Sequence, residues 1–372
     1  MSAREHVSVA EHQTEAARVL TICNACRYCE GLCAVFPAME MRRSFAAADL
    51  NYLANLCHQC GACYDDCQYA PPHEFSVNVP MALAKVRRDS YRQFTWPASW
   101  SSLFDHSGVA TALMTAAAAV MFWLGLWWRN GRAALLPQRG NFYALLPHTF
   151  MAAVFGIVGL AALGIGVLGL RRCWENLRSI GQQPMAPAAL WQGMADAATL
   201  RYLGGGGRDC SGASAEPSAL RRICHHALFY GFVLTFLSTT AATVLHYLLK
   251  QEAPYPLVSA PVLLGTSGGV LMIIGAVGLL VLQRHRNREI FDESSALAGR
   301  ALLWALIFTG SSGLLLLLLR NTAAMGLVLA THLGAVLGLF IILPYGKFIH
   351  GPYRTLALMW FAAERRSRVI VD

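Results

Sequence analysis

The sequence predicts a mainly α-helical fold in two parts, a charged N-terminal domain carrying eight closely spaced cysteines and a six-helix transmembrane bundle. Three observations predict it. The spacing C-x2-C-x2-C-x3-C occurs twice, at Cys23, Cys26, Cys29, Cys33 and at Cys57, Cys60, Cys63, Cys67. The 372-residue chain is 55% hydrophobic and only 14% charged, with mean hydropathy +0.42, too apolar for an ordinary soluble protein. Its long uncharged runs all lie after residue 107.

Residues 1–107 form the first part. Three closely spaced thiolates can wrap one face of an iron-sulfur cubane, while the fourth, already turning away, serves a second cluster. The expected sets are therefore Cys23, Cys26, Cys29 with Cys67, and Cys57, Cys60, Cys63 with Cys33, which makes a ferredoxin-like helical domain with two 4Fe-4S clusters. Zinc sites need only four ligands each and leave the repeated triplets unexplained. Disulfides do not suit thiols so close in sequence on a cytosolic-looking segment, and no C-x-x-C is followed by the histidine of c-type haem. Residues 1–22 carry Glu5, Glu11 and Glu15 and lack the apolar core of a signal peptide.

Residues 108–350 form the second part. Uncharged runs at about 108–128, 147–170, 225–249, 257–283, 301–319 and 323–346 each reach the roughly 20 residues that a helix needs to cross the hydrocarbon. Arginines cluster in the loops on the side of the termini, among them Arg171, Arg172, Arg178, Arg201, Arg221, Arg284, Arg286 and Arg300. The opposite loops carry few, so positive-inside bias expects a multi-pass inner-membrane protein with the cluster domain and a basic tail, 351–372, in the cytoplasm. That topology accounts for the net charge of +9. No nucleic-acid-binding motif accompanies it.

Histidines in or beside spans are the next candidates, because ionisable groups there are costly. His225 and His226 open the third span and His246 lies near its far end; His332 lies in the outer part of the sixth, and His350 just past its inner end. Helical phase puts His332 with His350 on one face, and His225 closer in phase to His246 than His226 is. The expectation is haem b, one or two, with axial ligands His225 and His350 inside and His246 and His332 outside. His148 competes for the outer site, and His106 and His285 read as solvated. Gly265-x-x-x-Gly269 and Gly334-x-x-x-Gly338 read as helix-packing sites. Gly204 to Gly207, before Arg208, Asp209 and Cys210, does not complete a dinucleotide-binding G-x-G-x-x-G. Cys173, Cys210 and Cys224 read as ordinary thiols. One-electron carriers without a flavin or nicotinamide fingerprint call for an external two-electron donor.

The stretch from Cys57 through Cys67 to Pro71-Pro72-His73-Glu74-Phe75 resembles the tricarballylate- or citrate-utilisation protein B family, related to part of a cobalamin-pathway enzyme. So do His225-His226, Ala253-Pro254-Tyr255-Pro256 and Leu343-Pro344-Tyr345-Gly346-Lys347-Phe348-Ile349-His350-Gly351. The resemblance implies a membrane protein with two iron-sulfur clusters and b-type haem, which reoxidises the flavin of a separate tricarballylate dehydrogenase and passes the electrons to quinone. A redox-sensing tricarboxylate transporter and a membrane reductase with its own small-molecule site are the alternatives. No intramembrane carboxylate suited to ion coupling and no substrate-binding fingerprint supports either.

Overall fold

The computed structural model describes residues 3–104, 106–137, 140–204 and 219–369. The segment with Gly205–Gly207, Arg208, Asp209 and Cys210 lies outside the described residues. Helices and turns make up the described residues, with no strand among them.

The N-terminal domain contains α1 (Ala3–Cys26), α2 (Val35–Glu40), α3 (Ala47–Leu56), α4 (Ala62–Asp65) and α5 (Val79–Phe94). The helix α5 starts where the Asn78 side chain accepts the Met81 N–H at 3.0 Å and Pro80 sits in the first turn. The first cysteine motif occupies the last turn of α1 and the turns after it, and the second the segment around α4, beside a core made by Val19, Leu20, Met39, Leu53 and Leu83.

Six helices are long and apolar enough to cross a membrane: α6 (Ser107–Asn130), α8 (His148–Ile180), α10 (Leu220–Tyr247), α11 (Ala260–Arg284), α12 (Glu293–Leu319) and α13 (Met325–Ile342). A short α7 (Phe142–Leu145) precedes α8, and α9 (Pro187–Ala198) follows it. Small residues set the closest approaches. A Cβ on Gly334 or Gly338 would collide with Ala119 or Thr115 of α6, so α13 packs directly on α6. Likewise Gly231 of α10 meets Gly268 and Met272 of α11, and Gly275 meets Leu228. In the Gly265 pair, by contrast, Gly265 faces Ser238 of α10 while Gly269 faces Leu314 of α12. Toward α8 and α13, α10 makes no comparable backbone approach. The outer faces of α8 and α10, with Ile157, Leu160, Leu163, Phe236 and Leu237, are exposed as lipid-facing surface is.

Two features differ from the sequence expectation. The sixth span does not run straight on to His350: Pro344 supplies no amide N–H and Gly346 is extended, so 3₁₀ turns Leu343–Tyr345 and Lys347–Ile349 intervene. His332 and His350 consequently stand on different helices, and their shared phase does not apply. The supposed basic tail is α14 (His350–Val369), which is built into the N-terminal domain. Its arginines hide an apolar face, Ala357, Leu358, Trp360 and Phe361, that completes the core. Glu364 is buried there, 6% exposed, accepting from Arg42 Nη2 at 2.7 Å, Tyr52 Oη at 2.9 Å and Trp360 Nε1 at 3.2 Å. The inner end of α8 also enters this domain: Leu177 joins the core, Trp174 meets Trp360 edge-on at 5.8 Å, and Asn176 accepts from Asn51 at 3.0 Å.

Candidate cysteine and histidine redox site

The fold sorts the eight motif cysteines into two groups. Cys23, Cys26, Cys29 and Cys67 line one cavity of about 290 Å³, together with Cys63, Asp66 and Tyr28. Cys33, Cys57, Cys60 and Cys63 line a second, tighter space of about 10 Å³ beside His58 and Gly61. The fourth cysteine of each motif thus joins the other motif's triplet. Gly61 makes the turn between Cys60 and Cys63 at φ +97°, a conformation that a side chain would strain.

Charge interactions follow the same grouping. Burial pushes the Cys23 thiol up to about 12, and neighbouring Cys67, Cys29 and Cys26 push the same way. Cys29 is raised to about 11 by burial, then Cys67, Cys26 and Asp66. Cys33 is raised by burial, then Cys60 and Cys57. Thiols raised in this way, Cys23, Cys29 and Cys33 among them, stay protonated at neutral pH until a metal centre displaces their protons, and the thiolate is the ligand. Among the described residues no three His, Cys, Asp or Glu side chains converge as a single ion requires. The larger cavity, ringed by sulfur, fits a multi-atom iron-sulfur cluster. The smaller admits one if its four thiols spread.

At the junction of domain and bundle, α10 and α14 bring His225 and His350 together. Their ring centroids lie 6.2 Å apart with planes at 79°. That is the order of separation that two metal–imidazole bonds of about 2 Å each, plus the ring radii, demand. His350 Nδ1 donates to the Lys347 carbonyl at 2.5 Å, leaving Nε2 with its lone pair. A ligating histidine is commonly oriented in this way. Burial, then Arg354, Lys347 and His225, hold His350 well below the usual histidine range, so it is neutral. His225 Nδ1 is buried without a hydrogen-bond partner, and a metal would satisfy it. These two residues fit axial ligation of a haem. His226 instead lies against Tyr230 at 5.7 Å.

The far pair is different. His246 and His332 make no ring contact: His246 stacks on His148 with centroids 3.9 Å apart and planes at 20°. His332 Nδ1 bonds to Ser312 Oγ at 3.0 Å, with its ring over Gly313, where a Cβ would come within 2.9 Å of Cε1. The absence of a side chain on Gly313 leaves room for the His332 ring against α12. His246 Nδ1 is also buried and unpartnered. Rings stacked this closely hold a shared metal only if they separate, and His148, the competing residue of the sequence reading, is the one that His246 meets. His106 and His285 are exposed.

Sequence reasoning missed what surrounds the second motif. Arg87 and Arg354 both donate to the Cys57 carbonyl, at 2.8 and 2.7 Å, and Arg221 and Arg286 reach the Gln59 carbonyl. Read one at a time, Arg221, Arg286 and Arg354 register as topology signals. The loop between α11 and α12 clasps the same region, Asn78 donating to the Glu289 carbonyl at 2.8 Å and Arg88 pairing with Asp292 at 2.9 Å.

Two family models cover most of the chain: the citrate utilization protein B Fer4-like domain matches residues 16–93, and citrate utilization protein B matches residues 103–370. The chain is 44% identical over 359 residues to the citrate utilization protein B of Escherichia coli, covering 96% of this chain and 94% of that protein. No solved structure matches it. With a Fer4-like domain joined to six spanning helices, the chain belongs to the citrate utilization protein B family.

Proposed function

We propose that this chain is a membrane electron-transfer protein of citrate or tricarballylate utilisation. In this reading it reoxidises the reduced flavin of a partner dehydrogenase of the tricarballylate dehydrogenase type and delivers the electrons to the quinone pool of the inner membrane, its termini in the cytoplasm. Cys23, Cys26, Cys29 and Cys67 hold one 4Fe-4S cluster, and Cys57, Cys60, Cys63 and Cys33 the other. His225 and His350 hold haem b at the inner face. His246, with His148 or His332 opposite it, is the candidate ligand set for a second haem. Bound there, these groups supply one-electron carriage, which a flavin can feed and a quinone can drain. The chain's part is to bury the thiols, keep His350 neutral and aimed by the Lys347 carbonyl, and hold both sets at one junction.

The observation that carries the reading is the meeting of His225 and His350 at the junction where the twin-motif domain sits on the bundle. The test is iron and haem analysis of the purified chain with redox-resolved spectra. The expected result is about eight cluster irons per chain and low-spin b haem, both reduced by the flavoprotein with its substrate and reoxidised by a quinone. Zinc in place of iron, or uptake of a tricarboxylate into vesicles by this chain alone, overturns it.

A further inference from the structure

Four guanidinium groups converge on the short loop that joins Cys57 to Cys60. Arg87 donates to Cys57 O at 2.8 Å and to Gln59 Oε1 at 2.5 Å; Arg354 donates to Cys57 O at 2.7 Å and Asn55 O at 3.2 Å. Arg221 donates to His58 O at 3.2 Å and Gln59 O at 3.4 Å, and Arg286 donates to Gln59 O. They come from α5, α14, α10 and the turn after α11, so the domain, the bundle and the last helix each contribute charge to one loop. Among the described residues Arg87, Arg221 and Arg354 form no ion pair with a carboxylate. Arg87 is only 3% exposed. Arg354, brought down to about 10 by burial and by Arg87, still carries its charge at neutral pH.

The other cysteine group has no comparable ring: Arg27 stands in its Cys26–Cys29 loop but its guanidinium donates to the Asn24 carbonyl. Asp66 lines its cavity and adds to the rise of the Cys29 thiol. A four-thiolate cluster is anionic and gains a further negative charge on reduction. Positive charge in a poorly solvated setting favours that reduced state, and a carboxylate disfavours it.

Helix geometry ties the arginines to the histidines. Arg221 precedes His225 by four residues on α10, and Arg354 follows His350 by four on α14. Residues at that spacing share a helix face. Each helix therefore puts an arginine on the Cys57–Gln59 loop and, one turn away, a histidine into the junction pair.

Resting on the proposed function, we propose that the arginine ring of Arg87, Arg221, Arg286 and Arg354 makes the centre held by Cys57, Cys60, Cys63 and Cys33 the higher-potential of the two. It is thereby the one that hands electrons to the His225–His350 pair. Electrons enter at the Cys23, Cys26, Cys29, Cys67 centre, which faces outward in the open cavity. Each transfer moves one electron, oxidising the first centre and reducing the second, with reduced flavin as donor and ferric haem as acceptor. The four arginines are positioning and tuning residues, none of them a metal ligand.

The test is a potentiometric titration of the full-length, cofactor-loaded chain, monitored by electron paramagnetic resonance. Arg221→Gln is expected to lower one cluster midpoint and leave the other in place, shifting the one-electron partition between them by about tenfold, or 59 mV. Arg221→Lys restores it, Arg222→Gln at the exposed neighbouring position moves neither, and Asp66→Asn raises the other midpoint. Arg87→Gln repeats the measurement from α5 if the first variant is poorly folded. Midpoints that stay put, or that move together, overturn the proposal. An unmodified chain with no pair of cluster signals overturns instead the functional reading beneath it.

Discussion

The two ends of the membrane bundle hold their histidines by different means. At the end that meets the N-terminal domain, His225 and His350 stand 6.2 Å apart with rings nearly perpendicular, one fixed by the Lys347 carbonyl and both backed by arginines on the cysteine loop. At the far end, His148 and His246 lie flat against each other at 3.9 Å beside Tyr143 and Tyr247, and α8 and α10 do not pack closely. The near site is held by tertiary structure from four parts of the chain. The far site is held by a cluster of stacked and edge-on rings at two helix ends and α7. The difference teaches that a histidine pair is set in this fold where the N-terminal domain braces it.

Breaking the brace has the largest expected effect. Glu364→Ala leaves Arg42 buried beside only Asp49, and removing one partner of a buried charge pair costs about 3–5 kcal/mol. Thermal unfolding in detergent should fall steeply and take the near-end haem spectrum with it. Retention of both would show that α14 is not the brace.

His350→Ala should abolish the near-end low-spin haem signal while leaving the cluster signals in place, since His350 is not among the cysteine-lined cavity residues. An unchanged low-spin spectrum sinks the near-end assignment. At the far end the outcome distinguishes candidates. If His246 pairs with His148, then His148→Ala should remove a second low-spin signal and His332→Ala should not; the reverse result would favour the original His246–His332 pairing. Smallest of all, Ser312→Ala removes one hydrogen bond to His332, worth about 1 kcal/mol, and should shift melting slightly without altering any haem band.

The division of the cysteines between two cavities and the six spans were legible in the sequence because cysteine spacing and uncharged length are local properties. The identity of the touching histidines was not. It depends on Pro344 and Gly346 ending one helix before His350 begins another, and on Gly313 letting His332 turn toward α12. Arg221, Arg286 and Arg354 were visible only as charges on one side of a membrane, since nothing local shows that three arginines from separate segments, joined by Arg87, aim at one loop. The apolar stripe of Ala357, Leu358, Trp360 and Phe361 was hidden by the charges around it.

The buried Glu364 has a consequence for how the molecule is made. A ribosome delivers Arg42 and Tyr52 long before the carboxylate that satisfies both, and all six spanning helices must emerge in between. The domain that begins the chain is thus the last to close, and a product cut short anywhere in the membrane region keeps an open core at its front. Closure of the cysteine-bearing domain therefore reports that all six long helices have already been made.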